Sequence, residues 1–142
     1  MKVATNRGLN RFRWPFHAYV AGTHAAAIKG YIPAMRTYLE VACEAITGWS
    51  GRQSAQYPGY DRLVTAIASQ TPESNLDNGY AFVGTPDEVI EQINRMRVLF
   101  GEHEPSLQVS FGGMSDEEPL RTVDLFARYI MPAFAPVTAG AV

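Results

Sequence analysis

The sequence predicts an α/β protein built on a parallel sheet, and three observations carry that prediction. Short apolar or alternating segments are each followed by longer segments with helical periodicity. The junctions between them are closed by glycine or by helix-capping residues. This strand-then-helix order occurs three times along the chain.

Phe16 to Ala21 is aromatic and β-branched, and Gly22 closes it, so it reads as a strand. Thr23 follows at the N-cap position of a helix from about His24 to Ile46. Within it Ile28, Ile32, Met35, Leu39, Ala42, Cys43 and Ile46 recur at spacings of three and four, the mark of a buried stripe. Pro33 lies inside this stretch; it removes one helical hydrogen bond and crowds the preceding turn, which predicts a kink or break. Residues 48–59 are rich in glycine, serine and proline and read as a loop around Trp49 and Tyr57. A shorter helix is expected from Tyr60 to Ser69, and Thr71-Pro72 with Asn78-Gly79 bracket a connecting segment.

Tyr80 to Val83 is the second strand, ended by Gly84. Thr85 and Glu88 form a capping box, each side chain satisfying a backbone N–H of the other, and Pro86 takes the first helical position, where no N–H is needed. Val89, Ile90, Ile93, Met96 and Phe100 form the expected inward stripe, and Gly101 stops the helix. Ser106 to Phe111 alternates like a third strand and ends at Gly112-Gly113. Ser115 and Glu118 are spaced as a second capping box, with Asp116 and Glu117 in a first turn where the helix dipole favours anions. Leu120, Val123, Ala127 and Ile130 carry the helical period to Pro132.

Size and composition narrow the class. The chain has 142 residues, 46% hydrophobic and 18% charged, with a formal net charge of -2. That suits one globular domain over 1–142, with a basic lead-in (1–15), an insertion (47–79) and a tail (135–142), since cores divide only above ~250 residues. No apolar run of about 18 residues supports a membrane span, and the mild acidity gives no overall attraction to nucleic acid. One cysteine, Cys43, excludes an internal disulfide and fits a reducing compartment, so a cytoplasmic protein is expected. The first 39 residues hold six basic residues and no acid, while the rest holds 14 acids against six arginines. Such a start reads as a solvated lead-in, with a transit peptide or a phosphate-binding arm as alternatives.

From Gly79 to Val89 the sequence resembles the C-terminal part of the luciferase-like flavin-dependent monooxygenases, which carry a Val-Gly-Thr/Ser-Pro-Glu-Glu-Val turn. Here it is Val83-Gly84-Thr85-Pro86-Asp87-Glu88-Val89. The likeness continues through Phe111-Gly112-Gly113-Met114, Leu120-Arg121 to Phe126-Ala127, and Ile130-Met131-Pro132-Ala133-Phe134. It is specific over 79–134 and weaker before. The resemblance implies a (β/α)8 barrel enzyme using FMN or a deazaflavin on a small organic substrate. A closed barrel needs ~200 residues or more. The expectation is therefore a partial barrel of about three βα units with a helical and loop insertion, corresponding to the last two-fifths of a family member. No catalytic residue carries over.

The resemblance places the turn after the third strand near the flavin end of the barrel, which makes Phe111, Gly112 and Gly113 candidate cofactor contacts. The alternative is a tight turn that needs glycine conformations. Neither GxGxxG nor GxxxxGK[ST] occurs, so no phosphate-binding fingerprint is present. His17, His24 and His103 are scattered without metal-ligand spacing, and no metal is expected. His17 becomes a proton donor or acceptor only if it faces a barrel interior. Cys43, on the apolar stripe, reads as an inert thiol. Trp14, Trp49 and Tyr57 are available for stacking on a flavin ring or for packing.

Two functions follow. One is a flavin monooxygenase portion; the other is a non-catalytic, flavin-free α/β module or truncated barrel. Either leaves open sheet edges, which predicts a homo-oligomer or a complementary N-terminal barrel chain.

Overall fold

A parallel sheet of three strands orders the molecule, with β1 (Arg13–Val20) central, β2 (Ala81–Gly84) on one side and β3 (Glu104–Gln108) on the other. The computed structural model describes residues 13–48, 55–56, 58–101 and 104–135. The second half of β1 pairs with β2 in the register His17–Ala81 to Val20–Gly84, and its first half pairs with β3 from Arg13–Glu104 to His17–Gln108.

Strand alternation divides the core in two. Tyr19 of β1 and Ala21 just after it, with Ala81 and Val83, meet Ala27, Tyr31, Ala34, Met35 and Leu39 of α1 (His24–Thr47). Phe16, Ala18 and Val20, with Phe82, meet Val89 and Ile93 of α4 (Pro86–Phe100), together with Ile130. Because successive side chains point to opposite faces, helices cover both sides of the sheet. The three βα units and the parallel pairing are as the sequence predicts. The strand order differs from that of successive barrel strands, in which β2 would lie between its neighbours. Both faces of β2 are buried, so it reads as a continuous apolar run rather than an alternating one.

Several expectations need correcting. The first strand begins at Arg13, three residues before its apolar start, because backbone pairing with β3 extends it. The third ends at Gln108 rather than Phe111, its last pairing being with His17; further along β1 the Val20 N–H is taken by Thr122. α1 runs unbroken through Pro33, whose ring lies on the exposed side. Buried residues before and after it anchor both halves to the sheet and offset the lost hydrogen bond. The segment expected to be a plain connection contains α3 (Pro72–Asp77), started by a capping box between Thr71 and Ser74. A serine at N3 takes the role usually given to glutamate there, which hid the signal. The expected helix at Tyr60 is present as α2 (Tyr60–Ala68).

The last helix is turned relative to its expected stripe. In α5 (Glu117–Leu125) Leu120 and Val123 are 69% and 50% exposed, and Ala127 beyond it is exposed too. Ile130 is buried as expected, but Thr122 takes the other inward position, with Leu125 and Phe126 packed on the same core. Thr122 wins the inward position because its hydroxyl accepts from the Val20 N–H at 3.2 Å. Phe100 is 64% exposed, outside the stripe that Val89 and Ile93 do form. After α5 the coil widens to a π turn (Phe126–Ile130), in which Met131 N–H donates to Phe126 O, then tightens to a 3₁₀ turn (Met131–Phe134). Pro132 excludes an ordinary i→i−4 bond there, which accounts for the change of pitch.

The side chain of Trp14, the aromatic loop residues Trp49 and Tyr57, His103, most of the basic lead-in and residues 136–142 of the tail lie outside the described parts.

Candidate functional site

In open parallel sheets, ligands bind beyond the carboxyl ends of the strands. Two constellations are built there or just beneath.

The first is aromatic. Phe111, 6% exposed, follows β3 and meets the His17 ring edge-on at 4.8 Å between centroids, with Tyr31 at 6.1 Å and Tyr38 at 6.3 Å. His17 also contacts Tyr38 at 4.6 Å. The His17 Nε2 is buried without a hydrogen bond, and burial pushes the imidazole below its ordinary value. His17 is thus a neutral ring held among aromatic neighbours. Tyr31 is fully buried, and desolvation drives its phenol far above the usual range, opposed in part by the nearby Asn75.

Gly112 and Gly113 have φ of +60° and +73°, the left-handed region that glycine enters at little cost. A Cβ on Gly112 would lie 1.7 Å from the Ala34 carbonyl oxygen, so the turn lets the chain press against the backbone of α1. Gly113 faces open space. Of the three candidate cofactor contacts, Phe111 is therefore spent on the aromatic cluster, Gly112 on α1, and Gly113 is exposed.

The second constellation is polar. The Tyr19 hydroxyl donates to Glu118 Oε1 at 2.7 Å and accepts from Arg121 Nη2 at 2.9 Å. The other oxygen of Glu118 accepts from the Ser115 N–H at 2.9 Å and its hydroxyl at 3.0 Å. This is one half of the expected capping box. The Ser115 hydroxyl turns toward the carboxylate instead of capping α5. The hydrogen bond from Tyr19, helped by those from Ser115, holds Glu118 below the usual carboxylate range, while burial and then Glu118 push the Tyr19 phenol up. The group therefore stays as neutral phenol and carboxylate near neutral pH. It can orient a ligand and present charge, but is not poised to move a proton.

Tyr19, Glu118 and Arg121 line a cleft of about 470 Å³ with Ala21, Lys29 and Gly30. Gly30 is essential to its shape, because a Cβ there would fall 1.9 Å from the Tyr19 hydroxyl. Gly30, an isolated glycine inside a helical stretch, is a local feature of the sequence that lies at this site, and its reason shows only in the packing. The link from Tyr19 to Glu118 and Arg121, about a hundred positions away, has no local signature.

His24 pairs with Glu88 at 2.9 Å across the starts of α1 and α4. Cys43 is half-buried. Among the described residues no three His, Cys, Asp or Glu side chains converge as metal ligands, and no helix is long and apolar enough to cross a membrane.

No protein-family model matches the chain, and no curated protein matches it. Among solved structures, it is similar to monooxygenase RslO1 from Streptomyces bottropensis, with 29% identity, a TM-score of 0.62 and 87% of this chain covered. It also resembles in fold the oxygenating constituent of 3,6-diketocamphane monooxygenase from Pseudomonas putida, a type II Baeyer-Villiger enzyme solved with FMN, at 18% identity, TM-score 0.59 and 84% coverage. The chain spans 31% and 32% of the length of these two structures.

Proposed function

We propose that this chain is the C-terminal portion of a luciferase-like, flavin-dependent monooxygenase acting on a small organic substrate. The observation that carries the reading is the likeness to RslO1 over 87% of the chain. The Val83–Val89 sequence is consistent with it, and its capping box and first-position proline form as the residues dictate. Domain extent 1–142 and a cytoplasmic location belong to the same reading.

The described residues fit one end of a flavin mononucleotide. Lys29 and Arg121 supply positive charge in the cleft beside Tyr19, set against the one carboxylate of Glu118 in the same lining, and a phosphate tail would be held by the two cations. The aromatic rings near Phe111 pack edge-on against one another. When bound, the flavin supplies the oxygen-activating chemistry. This chain's own residues would position it through Arg121, Lys29 and the exposed backbone at Gly113. The remainder of such a site, and the strands that close a barrel, would come from a complementary N-terminal chain or a second copy.

A titration of FMN fluorescence tests the reading. We expect quenching at high micromolar FMN, relieved by inorganic phosphate and lost in Arg121→Ala. If wild-type protein neither copurifies with flavin nor quenches FMN, the alternative stands: a flavin-free α/β module. That second reading is favoured by the self-packed aromatic cluster.

A further inference from the structure

An edge strand leaves alternate backbone N–H and C=O groups pointing away from its sheet. In β2 the Gly84 carbonyl accepts from Ala21 N–H, so Gly84 faces the central strand and Val83 faces outward. Both outward groups of Val83 are taken by one side chain. Val83 N–H donates to Gln92 Oε1 at 3.0 Å, and Gln92 Nε2 donates to Val83 O at 2.8 Å. Gln92 lies on α4, nine residues on, and its amide reaches around the edge. A glutamine amide carries one acceptor and two donors. Here it presents the same donor–acceptor pair that a neighbouring strand would. Beside it lies a cleft of about 430 Å³ lined in part by Ile28, Leu76, Met96 and Leu99, so space does not close this edge.

We propose that Gln92 is an edge cap: it occupies the backbone pair through which a further strand would join at β2, and so ends the sheet on that side. The site is separate from the Tyr19–Arg121 cleft and does not depend on flavin binding. It constrains the barrel reading, because a strand completing a barrel at β2 must displace this amide.

Amide hydrogen exchange and light scattering on Gln92→Ala and Gln92→Glu test the cap. In Gln92→Ala we expect the Val83 amide to exchange at least about tenfold faster, with β1 amides unchanged, and self-association to rise with concentration. Gln92→Glu keeps an acceptor for the Val83 N–H but loses the donor to its carbonyl. It should preserve Val83 protection at neutral pH, which separates the cap from a general loosening of α4. Unchanged Val83 exchange and unchanged association in Gln92→Ala would overturn the proposal, as would equal loss of protection throughout the sheet. Neither result bears on FMN quenching, so the functional reading stands or falls separately.

Discussion

Gly30 shows how one residue can invert an ordinary expectation. Alanine at a helical glycine usually stabilises by roughly 0.5–1 kcal/mol. Here the new methyl would meet the Tyr19 hydroxyl, which Glu118 and Arg121 hold in place, and Tyr19 is only 2% exposed. Gly30→Ala should therefore destabilise by about 1–2 kcal/mol in denaturant unfolding. Adding Tyr19→Leu removes the hydroxyl and the ring carbons that the methyl would meet, so Gly30→Ala should cost less in the Tyr19→Leu background than in wild type. Strict additivity would show that the two residues are not in contact. His17 gives a pH signature. Its folded-state value lies below the unfolded value of 6.5, so the unfolded chain binds the proton more readily. Stability should be full above pH 6.5 and fall as pH drops below it. Glu88 and Glu118, also held low, add their own loss only below about pH 4.5. His17→Gln should flatten the upper part of that pH profile, and an unchanged slope between pH 6.5 and 5 would refute the assignment.

At the scale of elements, α5 separates pattern from packing. Its apolar spacing pointed to Leu120, Val123, Ala127 and Ile130 as the inner face, yet of these Ile130 is buried and the others are exposed, and a threonine occupies the core. The hydroxyl of Thr122 satisfies a backbone group of β1, and this fixes the rotation of the whole helix. Thr122→Val keeps the volume but leaves the Val20 N–H without that partner, so it should cost about 1–3 kcal/mol. Leu120→Gln should lie within about 0.5 kcal/mol of wild type, as exposed substitutions generally do. The reverse ranking would mean that α5 sits as its apolar stripe suggested. α4 is the opposite case. Its proline, capping box and terminal glycine are all local signals, and all three formed where the sequence placed them.

For the whole molecule, exposed apolar residues decide the expected behaviour in solution. Val98, Leu99 and Phe100 are 86%, 71% and 64% exposed at the end of α4, and Leu120, Val123 and Met131 are exposed on the opposite flank of the sequence order. Large exposed apolar surface generally marks an interaction site. We expect gel filtration at micromolar concentration to show a species larger than the 15.6 kDa chain. A clean monomer would count against a partner-dependent protein.

The sequence by itself determined the alternation of strands and helices, the capped start of α4 and the positive-φ turn at Gly112-Gly113. These are short-range matters, settled by the conformational limits of glycine and proline and by hydrogen bonds spanning three or four residues. The tertiary structure decided the strand order, the side on which each helix lies, the inward turn of Thr122 and the meeting of Tyr19 with Glu118 and Arg121. Those outcomes depend on which distant surfaces bury one another, and on which buried backbone group finds its partner there. No local spacing encodes either.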